Sequence, residues 1–83
     1  MTDAITIDAR GLRCPLPVLR LEKALRAAVP GQRIVLLTDD PVAAIDVPHA
    51  CRAGGHAVED VAADAQARRF TIRVGPTEGA GGG

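Results

Sequence analysis

The stretch Ala4-Ile5-Thr6-Ile7-Asp8-Ala9-Arg10-Gly11-Leu12-Arg13-Cys14-Pro15-Leu16-Pro17 changes its hydrophobic period partway along. Its first five residues alternate apolar and polar and are rich in β-branched side chains, which predicts a short strand with Ile5 and Ile7 facing inward. Gly11 punctuates a turn. From Cys14-Pro15-Leu16-Pro17 the pattern becomes helical and runs to Val29. Proline is favoured at the first helical positions because the N–H groups there have no intrahelical partner. Val18, Leu21, Leu25 and Ala28 recur at helical spacing and form the stripe to be buried. Arg20, Glu22, Lys23 and Arg26 lie off that stripe, with Glu22 and Arg26 spaced to pair one turn apart. Pro30-Gly31 ends the helix.

Downstream, Arg33-Ile34-Val35-Leu36-Leu37-Thr38 has the continuous apolar centre of a covered central strand. Asp39-Asp40-Pro41 is a helix start, with Asp40 as cap and Pro41 in the first turn. Pro48 is poorly tolerated inside a helix. The expectation is therefore a turn over residues 41–46 and a helix over 47–53 restarted by Asp46 as cap. Gly54-Gly55 stops it. His56 to Val61 reads as a weaker strand and residues 64–67 as a turn. Arg68 to Val74 reads as a strand with Phe70, Ile72 and Val74 inward. The order β-α-β-α-β-β makes an α/β fold, a two-layer sandwich with two helices on one face of a four-stranded mixed sheet and the other face partly open. Residues 1–74 form the domain; 75–83, glycine-rich with nothing to bury, read as a mobile tail.

Eighty-three residues suffice for one core only. Ten Lys and Arg balance ten Asp and Glu, unlike a protein that coats nucleic acid. The balance hides an asymmetry: residues 1–37 carry six basic and three acidic groups, the remainder four and seven. That basic half either is an ordinary solvated face or meets an acidic partner. No apolar run approaches the ~20 residues of a membrane helix. The first residues lack a secretory pattern, which predicts a reducing, cytoplasmic setting for the two cysteines, Cys14 and Cys51.

Cys14 is placed at or just before a helix start, next to Arg13 and near Arg10, with Pro15 and Pro17 stiffening the backbone. Helix-start and cationic neighbours can lower a thiol from about 8.5 to about 7 or below, so the expectation is an activated thiolate. The alternative is a small buried hydrophobe. No Cys-x-x-Cys is present, so a dithiol cycle would need Cys51 to approach in space. A Cys–His hydrolase would need His49 or His56 at Cys14 and an oxyanion hole, for which the chain offers little room. Cys51 is either a core cysteine or a resolving thiol. His49 and Cys51, two apart on a helix, point in different directions, and a zinc site needs four ligands, so neither a metal nor a cofactor is expected. The terminal Gly81-Gly82-Gly83 reads as linker composition rather than a thiocarboxylate tail.

The segment Asp8 to Pro17 resembles the Cys-Pro-x-Pro signature of the TusA/SirA sulfur-carrier family. Thr38-Asp39-Asp40-Pro41 through Asp46-Val47-Pro48 to Cys51 and Gly55-His56 resembles that family's second half, and the likeness spans roughly residues 4–74. It implies a small two-layer α/β protein whose Cys14 takes sulfane sulfur as a persulfide from a cysteine desulfurase or rhodanese-like donor. The sulfur then passes to a downstream acceptor protein, serving tRNA thiolation, molybdenum-cofactor maturation or sulfur oxidation. Gly11, Arg13, Pro15 and Pro17 would frame the cysteine. Asp40 would lie near the donor-binding surface, and Arg20, Lys23 and Arg26 would contact partners. A carrier of this kind needs no direct nucleic-acid or membrane contact and no self-contained active site, and suits a monomer. Two rival readings are a regulatory module switched by a Cys14–Cys51 disulfide and an interaction domain using the open sheet face.

Overall fold

The computed structural model describes residues 4–63 and 67–76. The elements are β1 (Ile5–Asp8), α1 (Leu16–Ala27), β2 (Arg33–Thr38), α2 (Pro41–Ala53), β3 (Ala57–Ala63) and β4 (Arg68–Arg73). The strands form one sheet in the order β1-β2-β4-β3. β1 and β2 are parallel, joined over one face by α1. β4 lies antiparallel between β2 and β3. The chain is thus a two-layer α/β sandwich with a mixed sheet.

Register decides which side chains meet the helices. Ile5 pairs with Ile34 and Ile7 with Leu36, while Ile72 and Phe70 stand opposite Ile34 and Leu36 from the other side. Side chains alternate along a strand, so this row faces α1 and α2, and Ile34, Leu36, Phe70 and Ile72 are buried. Leu21 and Leu25 of α1 and Val47 and Cys51 of α2 close the core from above. Val18 and Ala28 pack at its margin. The opposite sheet face is open and charged. There Glu59, beside a register shift in β3, accepts from Arg33 at 2.7 Å and pairs with Arg73 at 3.5 Å.

Four expectations need correction. α2 is one unbroken helix from Pro41 to Ala53 with Pro48 inside it. Buried Ala43, Val47 and Cys51, spaced four apart, bind its whole length to the sheet, and that packing outweighs the one backbone hydrogen bond proline removes. Asp46 is therefore an interior helical residue, not a cap. Ile5 is 38% exposed because β1 is an edge strand of four residues with little helix above its start. The ion pair anticipated between Glu22 and Arg26 is not among those of the described residues. Most of the turn expected at 64–67 and most of the tail lie outside the described residues.

Candidate functional site

Two loops meet at one end of the sheet, one leading from β1 to α1 and the other from β2 to α2. Asp39 and Asp40 of the second fasten the first, and Thr38 before them braces the second loop itself. Thr38, buried at the end of β2, accepts the Asp40 N–H on its hydroxyl at 3.2 Å. Asp39 accepts the Gly11 N–H at 3.0 Å. Gly11 turns there at φ +84°, a left-handed conformation that side chains disfavour. Asp40 caps α2 by accepting the Val42 N–H on Oδ1 at 3.0 Å, and its Oδ2 accepts the Cys14 N–H. These hydrogen bonds hold the Asp40 carboxyl below its ordinary value.

Asp40 was expected near a donor-binding surface and also as a helix cap. It is the cap, but the residue is only 7% exposed and both oxygens serve the chain's own N–H groups. Its place is beneath the cysteine loop, which it anchors from the edge of the depression beside it.

Cys14 is half-buried and free, two residues before the first turn of α1. The Cys14–Pro15 peptide is cis. Pro15 is the N-cap and Pro17 the second helical residue. This start of helix is poor in donors for an anion. Pro15 and Pro17 have no N–H, and the Leu16 N–H is taken by the Arg13 carbonyl at 2.8 Å. Arg10, expected to favour a thiolate, turns back to Asp8 with two guanidinium contacts of 2.8 Å and holds that carboxyl at about 2.

The hydrogen-bond partner of the sulfur is a carboxylate. Cys14 Sγ donates to Asp46 Oδ2 at 3.3 Å, reaching across to the second turn of α2. The Asp46 hydrogen bond, partial burial and the charges of Asp46 and Asp40 push the thiol above its ordinary value. The expected lowering to about 7 is overturned for the free protein. Two prolines and the paired Leu16 N–H thin out the donors at the helix start, and a negative side chain occupies the place expected for positive ones.

A shallow depression of about 240 Å³ opens beside the cysteine loop, lined by Gly11, Arg13, Asp39 and Asp40. Arg13 is its one cationic lining residue. Leu16 and Leu19 on the first turns of α1, and Val42 and Ile45 on those of α2, are half-exposed or more. Arg20, Lys23 and Arg26 are exposed on α1, outside the loop junction.

Cys51 is fully buried in the core, and desolvation pushes its thiol to about 11. It is a core cysteine. His56 accepts the Gly75 N–H on Nδ1 at 2.9 Å and so ties β3 to the end of β4. Among the described residues no group of three or more His, Cys, Asp or Glu is placed to hold a metal, and no helix is long and apolar enough to cross a membrane.

Sequence reasoning missed Asp46 as a neighbour of the cysteine, and Thr38 and Asp39 as loop anchors. The available signal for Asp46 is an acidic residue set among Val42, Ala43, Ala44, Ile45 and Val47. Helix capping offered a sufficient reason for an acidic residue there, and so concealed a tertiary one.

A family model for sulfurtransferase TusA matches residues 5–74, the whole of the sheet and both helices. Among solved structures, a SirA-like protein from Desulfitobacterium hafniense is 32% identical, with a TM-score of 0.76, and the match covers 87% of this chain and 99% of that one. The matched span contains Cys14 with its two flanking prolines and the carboxylates around it, and the chain belongs to the sulfurtransferase TusA family.

Proposed function

We propose that the protein is a sulfur carrier that holds one sulfane sulfur as a persulfide on Cys14. Family membership supports sulfur transfer between donor and acceptor proteins in general. The observation that carries the choice of residue is the contrast between the two free cysteines: Cys14 is reachable on a fastened loop, and Cys51 is fully buried. A thiol must reach a second protein's sulfur to exchange with it. The same contrast weighs against a Cys14–Cys51 switch.

The step balances without an added oxidant. Cys14 loses its proton and attacks the outer sulfur of a persulfide on a donor such as a cysteine desulfurase or rhodanese-like protein. The Cys14 Sγ–S bond forms as the donor's S–S bond breaks. The donor cysteine leaves with the electron pair and takes up a proton. Attack by an acceptor's thiolate on the Cys14-bound outer sulfur reverses the roles. tRNA thiolation, molybdenum-cofactor maturation and sulfur oxidation are all chemically served by such a relay, with no direct contact between this chain and nucleic acid.

Residues 1–74 act as the carrier domain. Gly11 and Arg13 shape the loop before the thiol, and Pro15 and Pro17 the helix start after it. Arg20, Lys23 and Arg26 supply exposed cationic contacts for acidic partner surfaces. The protein works as a cytoplasmic monomer, where reducing conditions keep both thiols free.

The test is intact-mass measurement after incubation with a cysteine desulfurase and cysteine. The wild type gains one sulfur, Cys51→Ser gains the same, and Cys14→Ser gains none. Loading that survives in Cys14→Ser overturns the proposal.

A further inference from the structure

We infer that Asp46 is a positioning residue for sulfur transfer: its carboxylate holds the Cys14 thiol protonated and aimed in the free protein. The inference rests on the carrier reading above and assigns a residue to it.

The geometry is specific. The contact spans 32 positions of sequence and joins α2 to the loop before α1, with Sγ donating to Oδ2 at 3.3 Å in a part-buried setting. Asp46 makes no ion pair among the described residues. Its other oxygen, Oδ1, has no hydrogen-bond partner there. Asp40, by contrast, has both oxygens on backbone N–H groups and cannot turn to the sulfur without uncapping α2.

The charged groups around the thiol come from each packed element. Asp46 faces it from α2. Asp40 lies beneath it from the β2–α2 corner, and Arg13 precedes it on its own loop and interacts with Asp40. His49, one turn beyond Asp46, is exposed and is not hydrogen-bonded to it. α1 contributes only Leu16, Pro17 and Val18 at this end. The two carboxylates outnumber the one guanidinium, and Asp46 accepts the hydrogen bond that the thiol donates.

Two consequences follow for a carrier. The unloaded thiol is protected from stray oxidants and electrophiles, which attack the thiolate. In the loaded form the ionising sulfur is the outer one, a bond of about 2 Å further from Asp46. The same negative charge then turns that sulfur away from the protein and toward an acceptor.

The experiment uses the full chain with Cys51→Ser, so that Cys14 is the one thiol. Its alkylation by iodoacetamide is followed by mass across pH 6 to 10.5, for Asp46 and for Asp46→Asn. Asp46→Ser is a second variant should the amide distort the helix, and thermal melts check folding. The Asp46 protein is expected to titrate above the ~8.5 of a free cysteine. Asp46→Asn or Asp46→Ser should move the midpoint down by about one pH unit, a roughly tenfold faster alkylation near pH 7.5. Superimposable profiles in folded proteins, or a higher midpoint without the carboxylate, overturn the inference. Loading the same proteins with inorganic polysulfide separates it from the carrier reading. If neither protein gains sulfur on Cys14 while the alkylation profiles still differ, the carrier reading fails and the role of Asp46 in holding the thiol proton stands.

Discussion

Asp40 is the residue on which the site's geometry turns, because one carboxylate closes two loops. Oδ1 caps α2 and Oδ2 holds the Cys14 N–H. Replacing it with alanine removes the cap and leaves a part-buried N–H without its acceptor, each worth about 1–2 kcal/mol. Asp40→Ala is therefore expected to lose about 2–3 kcal/mol in urea denaturation and to load sulfur poorly even where it folds. A loss below 0.5 kcal/mol would show the carboxylate to be incidental. Asp40→Asn retains an acceptor oxygen and should fall between. The place of Cys14 and its prolines at a helix start was legible in the sequence, and so was the cap. The carboxylate beside the thiol was not. Proximity in sequence pointed to Arg10 and Arg13, but Arg10 turns to Asp8, and the dominant charge arrives from 32 residues away.

At the scale of elements, periodicity placed α1, β1 and β4, because burial on one face writes a period into each, while a continuous apolar run marked β2 and cap and stop residues marked α2. What it could not show was the continuity of α2. Pro48 removes one hydrogen bond locally, while three buried residues four apart restrain the helix from the sheet side. That balance is tertiary and leaves no local mark. The junction of β3 with the end of β4 is another such case. A Cβ at Gly75 would stand 1.9 Å from the Gly55 carbonyl oxygen, a backbone overlap that no rotamer relieves. Gly75→Ala is expected to cost about 1–3 kcal/mol as the strands part. A melting temperature unchanged within error would contradict that packing. On the open face the outcome reverses. Glu59 makes contacts to two arginines, but those side chains are about half exposed, so Glu59→Gln should change stability by less than about 1 kcal/mol.

For the whole molecule, stability should be bounded on both sides by groups held neutral in the fold. Burial raises the Cys51 thiol to about 11, well above an exposed thiol. A group whose folded value is raised contributes stability below its unfolded value, and that stability is lost as pH rises toward the folded one. The melting temperature should fall between about pH 9 and 11, and Cys51→Val should flatten much of that fall. His56 is lowered from 6.5 by burial, and its neutral ring accepts the Gly75 N–H. Its contribution is complete above about pH 6.5 and declines as pH drops below it. A melting temperature flat from pH 9 to 11 would show that Cys51 is not desolvated as the core requires. Beyond stability, the molecule keeps one thiol in the core and offers the other at a loop junction. The measurement that tests this division most directly is peptide mapping by tandem mass spectrometry of the protein charged by a cysteine desulfurase and cysteine. The account predicts the added sulfur on the peptide carrying Cys14 and none on that carrying Cys51. Sulfur found on Cys51, or on neither, would contradict it.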